Sequence, residues 1–79
     1  MKSAKEMFEG LGYSLVENSL GLKYQKLVVD MLWVIYFDTK FKYLTTAIIH
    51  DEYETYHALD MNELKAINKQ CKELGWLDD

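Results

Sequence analysis

The stretch from Leu27 to Ile49 leaves few folds open: Leu-Val-Val-Asp-Met-Leu-Trp-Val-Ile-Tyr-Phe, the polar triplet Asp38-Thr39-Lys40, then Phe-Lys-Tyr-Leu-Thr-Thr-Ala-Ile-Ile. β-branched and aromatic side chains pack well on a pleated surface and lose rotamer freedom in a helix, so two antiparallel strands joined at the triplet are expected. In the segment 31–37, Met31, Trp33, Ile35 and Phe37 share one row and Leu32, Val34 and Tyr36 the other. A strand covered on one side only alternates apolar with polar, so both faces of this one need cover. The expectation is that helices shield one face and a second copy or another partner the other, with Trp33, Ile35, Phe37 and Tyr43 as the self-association surface if the chain forms a homodimer.

At 79 residues the chain makes one domain, 1–79, close to the smallest size that a single core stabilises without disulfides or metal, and its 49% apolar content supports such a core. The single cysteine, Cys71, forms no internal disulfide and suits a reducing compartment. The polar N-terminus reads as a helix start rather than a signal peptide, and the longest apolar run is broken by Asp30 and falls short of the ~20 residues of a membrane span. A cytoplasmic, soluble protein is the resulting expectation. Nine lysines, no arginine and thirteen carboxylates give a net charge of −4, which argues against sequence-specific nucleic-acid binding, where the arginine fork reads guanine and phosphate.

Taken in order, Ser3-Ala4-Lys5-Glu6 is a capping box that opens a short helix with Ala4, Met7, Phe8 and Leu11 on one stripe and Gly10 and Gly12 at its end. A first strand is expected over 13–17, with a turn at Asn18-Ser19 or Gly21 and a second strand from about Leu22. Residues 22–37 contain no Gly, Pro or Asn. They read as two strands separated by a bend or bulge at 28–30, or as one long bent strand. A further strand covers 41–49, and a charged edge strand over 54–58 is an additional element. Asp60-Met61-Asn62-Glu63 repeats the capping box, opening a helix over 61–74 whose apolar seam is Leu64, Ile67, Cys71 and Leu74 and whose end is marked by Gly75. The fold class is α+β: a small antiparallel sheet of three or four strands flanked by an N-terminal and a C-terminal helix, α-β-β-β-(β)-α.

No catalytic, cofactor or metal site emerges. His50 and His57 stand some 23 Å apart if extended at ~3.3 Å per residue, and Cys71 has no neighbouring base in a Cys-His motif. The patch that stands out is Asp51, Glu52, Tyr53, Glu54, Tyr56 and Asp60, where carboxylates that steer toward a basic partner interleave with tyrosines, a favoured interface anchor. The same residues also fit a solvated loop and edge.

Residues 7–13, Met-Phe-Glu-Gly-Leu-Gly-Tyr, and 63–76, Glu-Leu-Lys-Ala-Ile-Asn-Lys-Gln-Cys-Lys-Glu-Leu-Gly-Trp, resemble the two helices of small accessory proteins of phages and prophages of Gram-positive bacteria. The resemblance implies a phage accessory protein in the cytoplasm of a bacterial host and transfers no functional residue. Two functions follow as expectations. One is a non-enzymatic protein-binding module, an inhibitor of a host antiphage defence of the anti-CRISPR type, acting through the acidic and tyrosine surface on a host protein. The other is a dimeric binder of a nucleotide second messenger, stacking a base on Trp33, Tyr36 or Tyr43 with phosphate contacts from Lys40 and Lys42.

Overall fold

The computed structural model describes residues 2–51, 53–55 and 57–77, with Tyr53 described by its backbone alone. The chain is α+β, with the element order α1 (Ala4–Gly10), β1 (Ser14–Asn18), β2 (Gly21–Val28), β3 (Met31–Asp38), β4 (Tyr43–His50), β5 (Tyr53–Thr55) and α2 (Met61–Glu73). It divides into two compact units: the stretch up to Tyr13 together with that from Leu59 onward, and Ser14–Ala58.

In the helical unit both helices are fixed by the caps their sequences encode. Ser3 Oγ accepts from the Glu6 amide at 3.1 Å while Glu6 Oε1 accepts from the Ser3 amide at 3.0 Å, and Asp60 with Glu63 repeats the exchange at 2.8 and 3.1 Å. Both helices close on a glycine with positive φ, Gly12 (94°) and Gly75 (77°). After each, an aromatic residue donates its amide back across the last turn, Tyr13 to the Phe8 carbonyl at 3.0 Å and Trp76 to that of Cys71 at 2.9 Å. The Ala4 amide, an orphan donor in the first turn of α1, is satisfied by Glu73 Oε2 of α2 at 2.8 Å. The buried positions of α2 are Glu63, Ala66, Ile67 and Gln70. This corrects the expected seam: Ile67 is buried, but Leu64 is 43% exposed and Cys71 only half-buried. The apolar count placed the seam one residue off because it excludes Glu63, whose carboxylate is buried with hydrogen-bond partners.

The sheet unit is an antiparallel meander in which strand order follows chain order, β1-β2-β3-β4-β5. Residues 21–38 form two strands, the first of the two expected readings, and they are closed by the two-residue turn Val29-Asp30, with Val28 opposite Met31, in place of a bend or bulge; with the short edge strand the sheet has five strands. Asn18 Oδ1 accepts from the Leu20 and Gly21 amides (2.8 and 3.0 Å), and Asp38 Oδ1 from those of Lys40 and Phe41 (3.0 and 2.8 Å), so each polar residue builds the turn it begins. The fifth strand is the short Tyr53–Thr55, beginning one residue before the expected edge strand, and it pairs with Ile48–His50.

The register sorts the side chains. Tyr24, Ile35 and Thr46 align on one face with Leu22, Phe37 and Leu44, and Tyr24, Ile35 and Phe37 are fully buried, the rings of Tyr24 and Phe37 meeting edge to face at 6.1 Å. The other face carries Val16, Lys23, Tyr36 and Thr45 in one transverse row, Gln25, Val34 and Ala47 in the next, and Leu27, Leu32, Ile49 and Glu54 in the last.

Candidate protein-binding surface

The expected self-association residues do not share a surface. Trp33, Ile35 and Phe37 lie on one face, and Ile35 and Phe37 are buried within the single chain. Tyr43 pairs with Asp38 and so belongs to the opposite face. The four-residue loop 39–42 sets this parity, because loop length fixes register and a one-residue shift turns every side chain over. Trp33 is engaged inside its own unit, with the His57 ring on its edge at 4.8 Å and the Lys26 ammonium 5.1 Å above it. Trp33 and Tyr36, three residues apart, project to opposite faces, so no single base is stacked by both.

The acidic patch is also redistributed. Asp60 belongs to the helical unit, where its carboxylate caps α2. Glu52 and Tyr56 lie outside the described residues, as does the Tyr53 side chain. Asp51 and Glu54 remain, exposed, at the β4–β5 turn. The structure adds a neighbour that sequence spacing did not link to them: Asp30, in the β2–β3 turn, accepts from His50 Nε2 at 3.0 Å, and Asp51 Oδ2 stands 3.9 Å from His50 Nδ1. Two turns distant in sequence thus meet at one end of the sheet. The hydrogen bond from His50 and its charge hold the Asp30 carboxyl below its ordinary value, and Asp30, with Asp51 adding to it, raises the His50 imidazole.

Between these acids runs the apolar row Leu27–Leu32–Ile49, ending at Glu54. Leu27 is 71% exposed and Val29, at the tip of the adjoining turn, 87%. Val29 has φ of +59°, a left-handed conformation open to glycine or asparagine and costing a β-branched residue about 1–2 kcal/mol. A two-residue hairpin turn with positive φ at its first position ordinarily carries glycine there. A bulky aliphatic group is therefore displayed to solvent at a site that favours none. The sequence marked a break at 28–30 but not the display of Val29, since valine in a β-rich run reads as strand.

At the far end of the sheet the β3–β4 loop stacks Phe41 on Tyr43 (6.3 Å, 6° between planes) with the Lys40 ammonium 5.3 Å over the Phe41 ring. Among the described residues, no helix is long and apolar enough to cross a membrane. Comparison with models of protein families, with curated proteins and with solved structures finds no match to this chain.

Proposed function

We propose that the chain is a non-enzymatic protein-binding module whose contact surface is the acid-rimmed apolar end of the sheet: Leu27, Val29, Leu32 and Ile49 inside, Asp30, Asp51 and Glu54 around them. The observation that carries this reading is Val29, held exposed in a backbone conformation that its side chain disfavours. Backbone strain concentrates at functional sites, and an apolar centre within a charged rim is the usual anatomy of a protein contact. The rim selects a basic partner by complementarity. Within this reading the partner is a host protein, and inhibition of an antiphage defence in the bacterial cytoplasm is the role supported by the resemblance of the helical segments to phage accessory proteins.

The test is recovery of partners from bacterial lysate with the wild type and with Leu27→Glu and Glu54→Lys, followed by calorimetric titration of the purified partner. A basic partner bound in fixed stoichiometry, and about tenfold or more weaker with each variant at unchanged melting temperature, is expected. Equal affinity for wild type and variants removes this surface.

A second reading rests on the β3–β4 loop, where Tyr43 stacks on Phe41 in an exposed aromatic pair with the Lys40 ammonium over the Phe41 ring. It is the part of the nucleotide-binding expectation that survives without Trp33 and Tyr36. A thermal-shift series with cyclic and linear nucleotides separates the two, since a ligand at 100 times its Kd stabilises by roughly 2.7 kcal/mol.

A further inference from the structure

The helical unit holds a second surface of the opposite charge. Lys65, Lys69 and Lys72 recur at i, i+4 and i+7 along α2, a spacing that puts them on one side of a helix over roughly 10 Å at 1.5 Å rise per residue. By themselves they read as a solvated stripe. The structure places Lys2 and Met7, from the other end of the chain, against them. Lys2, Met7, Lys65, Asn68, Lys69 and Lys72 line a cavity of about 420 Å³. A second hollow of about 240 Å³ shares Lys2, Met7 and Lys65 and is also lined by Gly10, Leu11 and Asn62, so the two adjoin where α1 meets α2. Four of the chain's nine lysines line this groove, and no carboxylate is among its described lining residues.

We propose that this groove binds an acidic, amphipathic peptide segment of a partner protein. Three features select that ligand. Ammonium groups at one-turn intervals match carboxylates at the same interval on a facing helix, and lysine, a point charge on a flexible stem, accepts carboxylates without the fixed fork geometry of arginine. Met7 supplies an adaptable apolar floor, the side chain best suited to taking in a leucine or phenylalanine of variable pose. Among the described residues that line the groove there is no aromatic platform on which nucleic-acid bases stack, which sets single-stranded nucleic acid below a peptide despite the shared negative charge. This site rests on the helical unit alone and stands independently of the acid-rimmed sheet end.

The experiment is fluorescence anisotropy with a labelled 15-residue peptide carrying Glu at i, i+4 and i+7 and Leu on the adjoining positions. Comparison ligands are the same peptide with Leu replaced by Ser, its Lys counterpart, and a thymidine oligonucleotide of equal length. Expected are binding by the Glu/Leu peptide that weakens with salt, at least tenfold loss on Leu→Ser, no binding of the Lys peptide, and at least tenfold loss in the Lys65→Glu/Lys69→Glu double variant. A second variant, Lys65→Gln/Lys69→Gln, keeps the conclusion readable should charge reversal unfold the unit, with unchanged far-UV circular dichroism as the control. Affinity indifferent to both double variants, no binding of the Glu/Leu peptide, or tighter binding of the oligonucleotide than of that peptide overturns the proposal.

Discussion

The Tyr13 phenol donates a hydrogen bond to the Glu63 carboxylate, and both side chains are buried. Glu63 Oε1 meanwhile accepts from the Asp60 amide, so one carboxylate satisfies the start of α2 and anchors the residue that follows α1. Burial first, then the bond and charge of Glu63, push the Tyr13 hydroxyl well above the ordinary phenol range, and it stays protonated throughout the working pH range. Tyr13→Phe leaves Glu63 Oε2 buried without this donor. The expected loss is about 1–3 kcal/mol in urea unfolding, while Tyr36→Phe, at a half-buried sheet position, costs less.

Val29→Gly relieves the positive-φ strain and is expected to raise stability by up to about 1 kcal/mol, the relief offset in part by the greater freedom of glycine in the unfolded chain. The same change removes the proposed central contact and weakens partner binding. A variant that melts higher and binds less well is the signature of a residue kept for contact, and a Val29→Gly protein that binds like wild type contradicts that role.

Gly21→Ala tests the sheet. A Cβ at position 21 would stand 2.0 Å from the backbone carbonyl oxygen of Phe37, and backbone cannot rotate aside. Strand separation at this pair costs about 1–3 kcal/mol or more, read as a lowered melting temperature; Gly10→Ala, where nothing stands within 4 Å of the added methyl, serves as the control.

The Asp30–His50 pair gives the sheet end a pH dependence. His50 is raised in the folded state, so its contribution is complete below the unfolded value of 6.5 and disappears as pH rises through the higher folded one. Asp30 is lowered, so its contribution is present above 3.8 and disappears as pH falls through the lower folded value. Both groups are exposed, and the effect is small and screened by salt. An NMR titration of the His50 ring is expected to show a midpoint above 6.5 that falls back in Asp30→Asn; identical midpoints in the two proteins refute the pairing.

What was legible in the sequence is what four consecutive residues decide. The caps at Ser3/Glu6 and Asp60/Glu63 and the stop at Gly75 depend on local hydrogen bonds and local φ, and all three stand where the residues put them. Asp30 marked the break between β2 and β3, but the tight two-residue turn read only as a bend or bulge, because valine stands where its positive φ favours glycine. Burial of Glu63 depends on Tyr13, fifty positions away, and a polar-out pattern cannot anticipate it. Asp60 stood out as part of an acidic run, yet the same carboxylate was already needed for the cap. The lysines of α2 were visible as a stripe, but the groove exists only where Lys2 and Met7 join them.

The meander copies the order of the chain, so each new ladder closes across a short loop between neighbours in sequence. Low contact order of this kind favours rapid zippering. The sheet's ladders can form strand by strand as the chain is made, whereas α1 waits for α2, which follows it some fifty residues later. Two surfaces of opposite sign thus mature at different moments, the carboxylate-rich one first.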